Sequence, residues 1–117
     1  MNSYKNKLAL VTGASTGIGY AIAKELARRG ADLIVSATER SANKLQDLSL
    51  EIKEIGSECH IFLEDLSELN SGRSLYNQIK SKNLKVDLLI NNAGYGRWGI
   101  YHEVEMDDYV DMIQLNI

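Results

Sequence analysis

The sequence predicts an α/β fold in which a doubly wound parallel sheet has the strand order 3-2-1-4. Three observations lead there. Short, continuously apolar runs alternate with longer amphipathic ones, the first apolar run breaks into a glycine-rich turn that opens the next amphipathic run, and no proline or low-complexity linker divides the chain. Runs apolar on both faces are how buried parallel strands read. Their alternation with helices implies right-handed βαβ crossovers. Ligands in such sheets bind beyond the carboxyl ends of strands one and four, where the winding reverses.

Leu8-Ala9-Leu10-Val11 is the first strand, and Thr12-Gly13-Ala14-Ser15-Thr16-Gly17-Ile18-Gly19 is the turn that follows. Ile18, Ile22 and Leu26, four apart, mark one side of the first helix, and Gly30 closes it as glycine does after a helix C-terminus. Residues 32–37 form a second strand. From Ser41 a second helix presents Leu45, Leu48, Ile52 and Ile55 at steps of three and four, leaving Lys44, Asp47, Glu51, Lys53 and Glu54 to solvent, and Gly56 ends it. A third strand at 58–63 leads through Asp65-Leu66-Ser67 into a helix over 68–82, with Ser67 as its N-cap. That helix shows Leu69, Leu75 or Tyr76, and Ile79 on its apolar side, while Gly72 costs it about 1 kcal/mol against alanine. Residues 86–91 are a fourth strand, Asn92-Ala93-Gly94 opens a glycine-rich loop to Gly99, and a last helix begins near Glu105.

Composition bounds the function. A chain of 117 residues supports one domain with a real core, and a net charge of −3 with both signs interspersed lacks the basic footprint of a nucleic-acid binder. The single cysteine, Cys59, allows no internal disulfide and no cysteine-rich metal site, and fits a reducing compartment. Lys5 and Lys7 precede an apolar run too short for a signal peptide, and no window approaches a membrane span. A cytoplasmic protein is expected.

The turn from Thr12 to Gly19 carries the first chemical signal. Gly13, Gly17 and Gly19 permit positive φ and close backbone approach, and the free N–H groups of a helix start face an anion; a dinucleotide pyrophosphate is the natural guest. Further motifs follow in order: Asp65-Leu66 after the third strand, Asn91-Asn92-Ala93-Gly94 after the fourth, and Asn116 in the last helix. With these, the sequence resembles the N-terminal half of the short-chain dehydrogenase/reductases, nicotinamide-dependent oxidoreductases of Rossmann type. The resemblance covers the whole chain and implies that residues 1–117 are the dinucleotide-binding portion of a single Rossmann domain, stopping before a fifth parallel strand. It implies that the backbone from Ser15 through Thr16 and Gly17 to Ile18 borders the pyrophosphate and its ribose. Asp65 would bond the adenine amino group, with Leu66 a neighbouring backbone contact. Asn91 and Ala93 would line the ribose side, Asn92 would pin the fourth strand, and Gly94 would serve the turn. Thr12 resembles a structural hydroxyl tying strand one to the second motif.

Coenzyme choice turns on the end of the second strand, where a carboxylate would bond the adenosine 2′-hydroxyl and repel a 2′-phosphate. Ala37 stands there, followed by Thr38, Glu39 and Arg40. Loss of the acid favours NADP over NAD, with Arg40, Ser15 and Thr38 receiving the phosphate, although Glu39 opposes it and Thr38 stands where many NADP-using relatives have arginine.

The resemblance also implies a serine, a Tyr-x-x-x-Lys pair and a water-holding asparagine for proton transfer. Only the asparagine has a candidate, Asn116. Two bare matches, Tyr20-Ala-Ile-Ala-Lys24 and Tyr76-Asn-Gln-Ile-Lys80, lie in the first and third helices, and the chain's tyrosines and lysines give about 0.4 such matches by chance. Both tyrosines read as packing residues and both lysines as surface charges. His60 and His102 have no spaced ligand partners, Cys59 reads as a small buried hydrophobe, and Tyr95 to Ile100 either walls the substrate site or anchors its own loop. The expectation is a hydride-transferring oxidoreductase for a small carbonyl or alcohol, homo-oligomeric, whose catalytic half lies past Ile117; the alternative is a nucleotide-binding module without catalysis. A fourth strand with an open edge, and a sheet face lacking helices, further predict self-association.

Overall fold

Alternating apolar residues build a five-stranded sheet in the order β3-β2-β1-β4-β5. The computed structural model describes residues 3–15, 17–65, 71–91 and 100–102. The strands are β1 (Leu8–Thr12), β2 (Asp32–Ala37), β3 (Cys59–Leu63), β4 (Leu88–Asn91) and β5 (Ile100–His102); the helices are α1 (Gly17–Arg28), α2 (Ala42–Ile55) and α3 (Ser71–Ser81). Strands β1 to β4 are parallel, as their continuous apolar runs required, and β5 runs antiparallel to β4.

The period of two in the strands divides the core between the two faces of the sheet. Ala9, Val11, Leu33, Val35, Leu88 and Ile90 point to one side and meet Ala23, Leu26, Ala27, Leu45, Leu48 and Ile52 from α1 and α2. Leu10, Ile34, Phe62 and Leu89 point to the other and meet Leu75 and Ile79 of α3. Each fully buried leucine or isoleucine contributes roughly 1.5–3 kcal/mol. The second face is therefore covered by α3, which corrects the expectation of a face without helices.

The open edge is corrected as well. Leu88, Leu89 and Ile90 stand in register with His102, Tyr101 and Ile100, so β5 supplies main-chain partners where an unpaired edge was expected. Strand β4 also starts two residues later than its apolar run. The backbone of Asp87 donates to the carbonyl of Leu8 at 2.8 Å and its carboxylate accepts from the Leu8 N–H at 2.9 Å, a clasp at the amino end of β1. Helix α3 is described from Ser71; Ser67 and residues 68–70, where the sequence placed its cap and first turn, lie outside the described residues, as does the helix expected near Glu105.

Candidate functional site at the carboxyl edge of the sheet

Strands β1, β2, β3 and β4 finish along one edge, with Thr12 in register with Ser36 and Asn91, and Ala37 with Leu63. Thr12 Oγ1 donates to Asn91 Oδ1 at 2.9 Å, both residues being fully buried, so strand one is tied by this hydroxyl to the last residue of β4, where the second motif begins. The N–H of Ala14 donates to the carbonyl of Ser36 at 3.1 Å and holds the glycine turn against β2. These bonds fix the start of the turn and leave its far side open. Gly13 and Gly17 adopt φ of +61° and +60°, and a Cβ placed on Gly17 would meet no atom within 4 Å. Glycine at 17 is thus required by its left-handed backbone, not by protein crowding, and the space beside it is free. Ile18, next in the chain, is 55% exposed, the kind of apolar surface a ligand covers. The first-turn N–H groups of α1 have no carbonyl one turn earlier to bond and can face an anion.

At the neighbouring strand, Ala37 ends β2 half-buried, Thr38 continues extended, and Glu39–Ser41 make a single 3-10 turn that leaves Arg40 exposed. No carboxylate stands at the strand end itself. The carbonyl of Ala37 accepts from the Glu64 N–H at 3.0 Å, and Glu64 Oε2 accepts from Ser74 Oγ at 3.0 Å and Gln78 Nε2 at 2.8 Å. Glu64 thereby holds α3 to the end of β3, immediately before the exposed carboxylate of Asp65.

The Tyr-x-x-x-Lys match at Tyr20 is a buttress. Its hydroxyl donates to Glu51 Oε2 on α2, and Lys24 Nζ lies 3.1 Å from Glu51 Oε1 and 6.0 Å from the Tyr20 ring centre. The bond to Glu51 and partial burial push the Tyr20 phenol up to about 12, the opposite of what a proton-transferring tyrosine needs. Lys24 is consequently a partner of Glu51 and not the free surface charge expected from sequence. Burial raises the Cys59 thiol, in keeping with a buried hydrophobe rather than a nucleophile. Among the described residues no group of three or more metal-ligating side chains is assembled, and no helix is long and apolar enough to cross a membrane.

The glycine turn, the uncharged end of β2 and the Thr12–Asn91 tie all gather at one sheet edge, and residues 7–117 match the short chain dehydrogenase family. The chain belongs to that family. Its enzymes are oxidoreductases that use nicotinamide coenzymes. A fatty acyl-CoA reductase of Acinetobacter baylyi is 39% identical over 114 residues, covering 96% of this chain and 38% of that protein. Among solved structures, the RhlG/NADP active-site complex of Pseudomonas aeruginosa superposes with a TM-score of 0.71 at 32% identity, covering 80% of this chain and 37% of that one. NAD+-bound xylitol dehydrogenase does so with a TM-score of 0.68 at 29% identity, over 80% and 35%. The chain spans about two fifths of the length of the relatives it matches.

Family membership gives the geometry a guest, and the residues present fit it: two left-handed glycines, open space at Gly17 and exposed Ile18 suit a bound pyrophosphate. Gly13, Ser15, Gly17, Ile18, Gly19, Ala37, Thr38, Arg40, Asp65 and Asn91 gather at the carboxyl edge or just beyond it. Asn91 reaches Thr12 with its side-chain carbonyl, and Gly19 is buried within α1. Thr16, Leu66, Asn92, Ala93, Gly94 and Asn116, with the loop from Tyr95 to Gly99, lie outside the described residues.

One feature of the site escaped the sequence reading. Ser15, Gly17, Tyr20, Lys44 and Asp47 line a hollow of about 350 Å³ between the glycine turn and α2. Lys44 and Asp47 are exposed, as their helical spacing predicts, and they also border this hollow. The signal was a matched pair of helical stripes, Gly17, Tyr20 and Lys24 on α1 against Lys44, Asp47 and Glu51 on α2, both at helical spacing. Consecutive βαβ crossovers run both helices in the same direction, which brings the stripes together.

Proposed function

We propose that this chain holds the coenzyme of an NADP-dependent oxidoreductase that moves a hydride between nicotinamide and a carbonyl or alcohol substrate. The observation that carries this reading is the glycine turn, with left-handed Gly13 and Gly17, standing beside a β2 end at Ala37 that bears no carboxylate. A pyrophosphate suits the amides and open space of the turn, and a ribose 2′-phosphate meets no acid at residue 37. The sequence offers Ser15, Thr38 and Arg40 as donors for that phosphate, and Asp65 is exposed and offers a carboxylate to an adenine amino group. The coenzyme, once bound, supplies the hydride-carrying nicotinamide. What the chain contributes is position: Thr12 and Asn91 fix β1 to β4, and Glu64 fixes the segment leading to Asp65. The resemblance assigns Asn116 to the water of a proton relay.

Calorimetric titration of NADPH and NADH tests the reading. NADPH is expected to bind about tenfold more tightly, the difference made by one well-placed charge-assisted contact. Equal affinity, or tighter NADH, would remove the argument from Ala37, and no binding of either would remove the coenzyme reading altogether.

A further inference from the structure

We infer that Lys44 is a coenzyme-selecting residue: its ammonium, across the hollow from Ser15, seats the phosphate on the adenosine ribose. This rests on the NADP reading above and deepens it, since the sequence pointed to Arg40 for that task. Arg40 is exposed on the 3-10 turn and is not among the residues lining the hollow; Lys44 is.

Among the described residues that line the hollow, Lys44 is the one cation. Lys24 is held by Glu51 at 3.1 Å, and Arg28 and Arg29 of α1 are held by Glu25 at 3.4 and 2.9 Å. Those cations are already neutralised. Lys44 makes no ion pair among the described residues, so its charge remains for a ligand. The opposite wall gives the Ser15 hydroxyl and the open side of Gly17, so an anion there has a cation, a hydroxyl donor and a close backbone approach. Asp47 shares the hollow and opposes an anion, but it lies one turn farther from the start of α2 than Lys44. The pair leaves the hollow neutral, and a phosphate placed toward the start of the helix faces the lysine before the carboxylate. Selection then arises from a difference in charge contacts: a 2′-hydroxyl gains little from Lys44, whereas a 2′-phosphate gains a charge-assisted bond.

The test uses 2′,5′-ADP and 5′-AMP as probes, titrated calorimetrically into the chain and its variants. The parent chain should bind 2′,5′-ADP more tightly than 5′-AMP. Lys44→Met should lower the 2′,5′-ADP affinity about tenfold, as loss of one charge-assisted contact does, while 5′-AMP stays within about twofold. Lys44→Arg should restore most of the loss, and Asp47→Asn should raise 2′,5′-ADP affinity. Because Lys44 is exposed, its variants should keep the parent's unfolding midpoint, which excludes a folding defect as the cause. If the parent prefers 2′,5′-ADP and Lys44→Met keeps that preference, or loses both probes equally, the assignment to Lys44 is overturned while the NADP reading stands. A parent without the preference overturns both.

Discussion

Tyr20 shows how a single side chain is defined by its partner. Its bond to Glu51, with partial burial, raises the phenol to about 12, and the same bond, with that from Lys24, holds the Glu51 carboxyl below its usual range. A raised tyrosine stabilises the fold fully below its ordinary value of 10.0 and loses that contribution as pH climbs through about 12. A depressed carboxylate contributes above its ordinary 4.5 and loses it as pH falls through the lower folded value. Ultraviolet absorbance titration should therefore find one tyrosine ionising near 12, a component that Tyr20→Phe removes. The stability gap between the parent and Tyr20→Phe should be widest near neutral pH and narrow as pH rises past 10.0. A gap that persisted undiminished at the alkaline end would refute the tie. Sequence marked Tyr20 as a decoy because its motif stood in the wrong element. It did not show Glu51, thirty-one residues away, because nothing local in a helix names its partner on another helix.

The three helices among the described residues end alike. Gly30 at φ +98°, Gly56 at +113° and Asn83 at +57° each follow a helix in the left-handed region, and the residue after each donates back to the helix's last turn: Ala31 to Leu26, Ser57 to Ile52 and Leu84 to Ile79. This closure frees the chain to turn into the next strand within a few residues. Both glycines were legible in sequence because few other residues adopt that backbone cheaply. Asn83 was not, since asparagine serves turns and caps of many kinds. A Cβ on Gly56 would meet nothing within 4 Å, so Gly56→Ala isolates the backbone cost. Urea unfolding should show a loss of about 1–2 kcal/mol, the penalty of an L-residue held left-handed.

Across the whole molecule, the sheet's free edge decides how the chain behaves toward copies of itself. Sequence predicted an exposed, apolar β4 edge, whereas β5 pairs with it over three residues, and α3 covers the face expected to be bare. Tyr101→Pro removes a main-chain donor from β5 and should reopen that edge, raising the self-associated fraction seen by light scattering with size exclusion. An unchanged profile would mean that β5 does not protect it. Residue type and period alone were enough for the four parallel strands, the helix ends at glycine and the glycine turn, because each depends on neighbours within a few positions, and the alternation of strand with helix then implied the order 3-2-1-4. The antiparallel β5, the Tyr20–Glu51–Lys24 buttress and the hollow holding Lys44 depend on residues far apart in the chain. Their partners become neighbours only once the parallel crossovers have set α1 beside α2 and β4 at the sheet's edge, so only the tertiary structure could decide them.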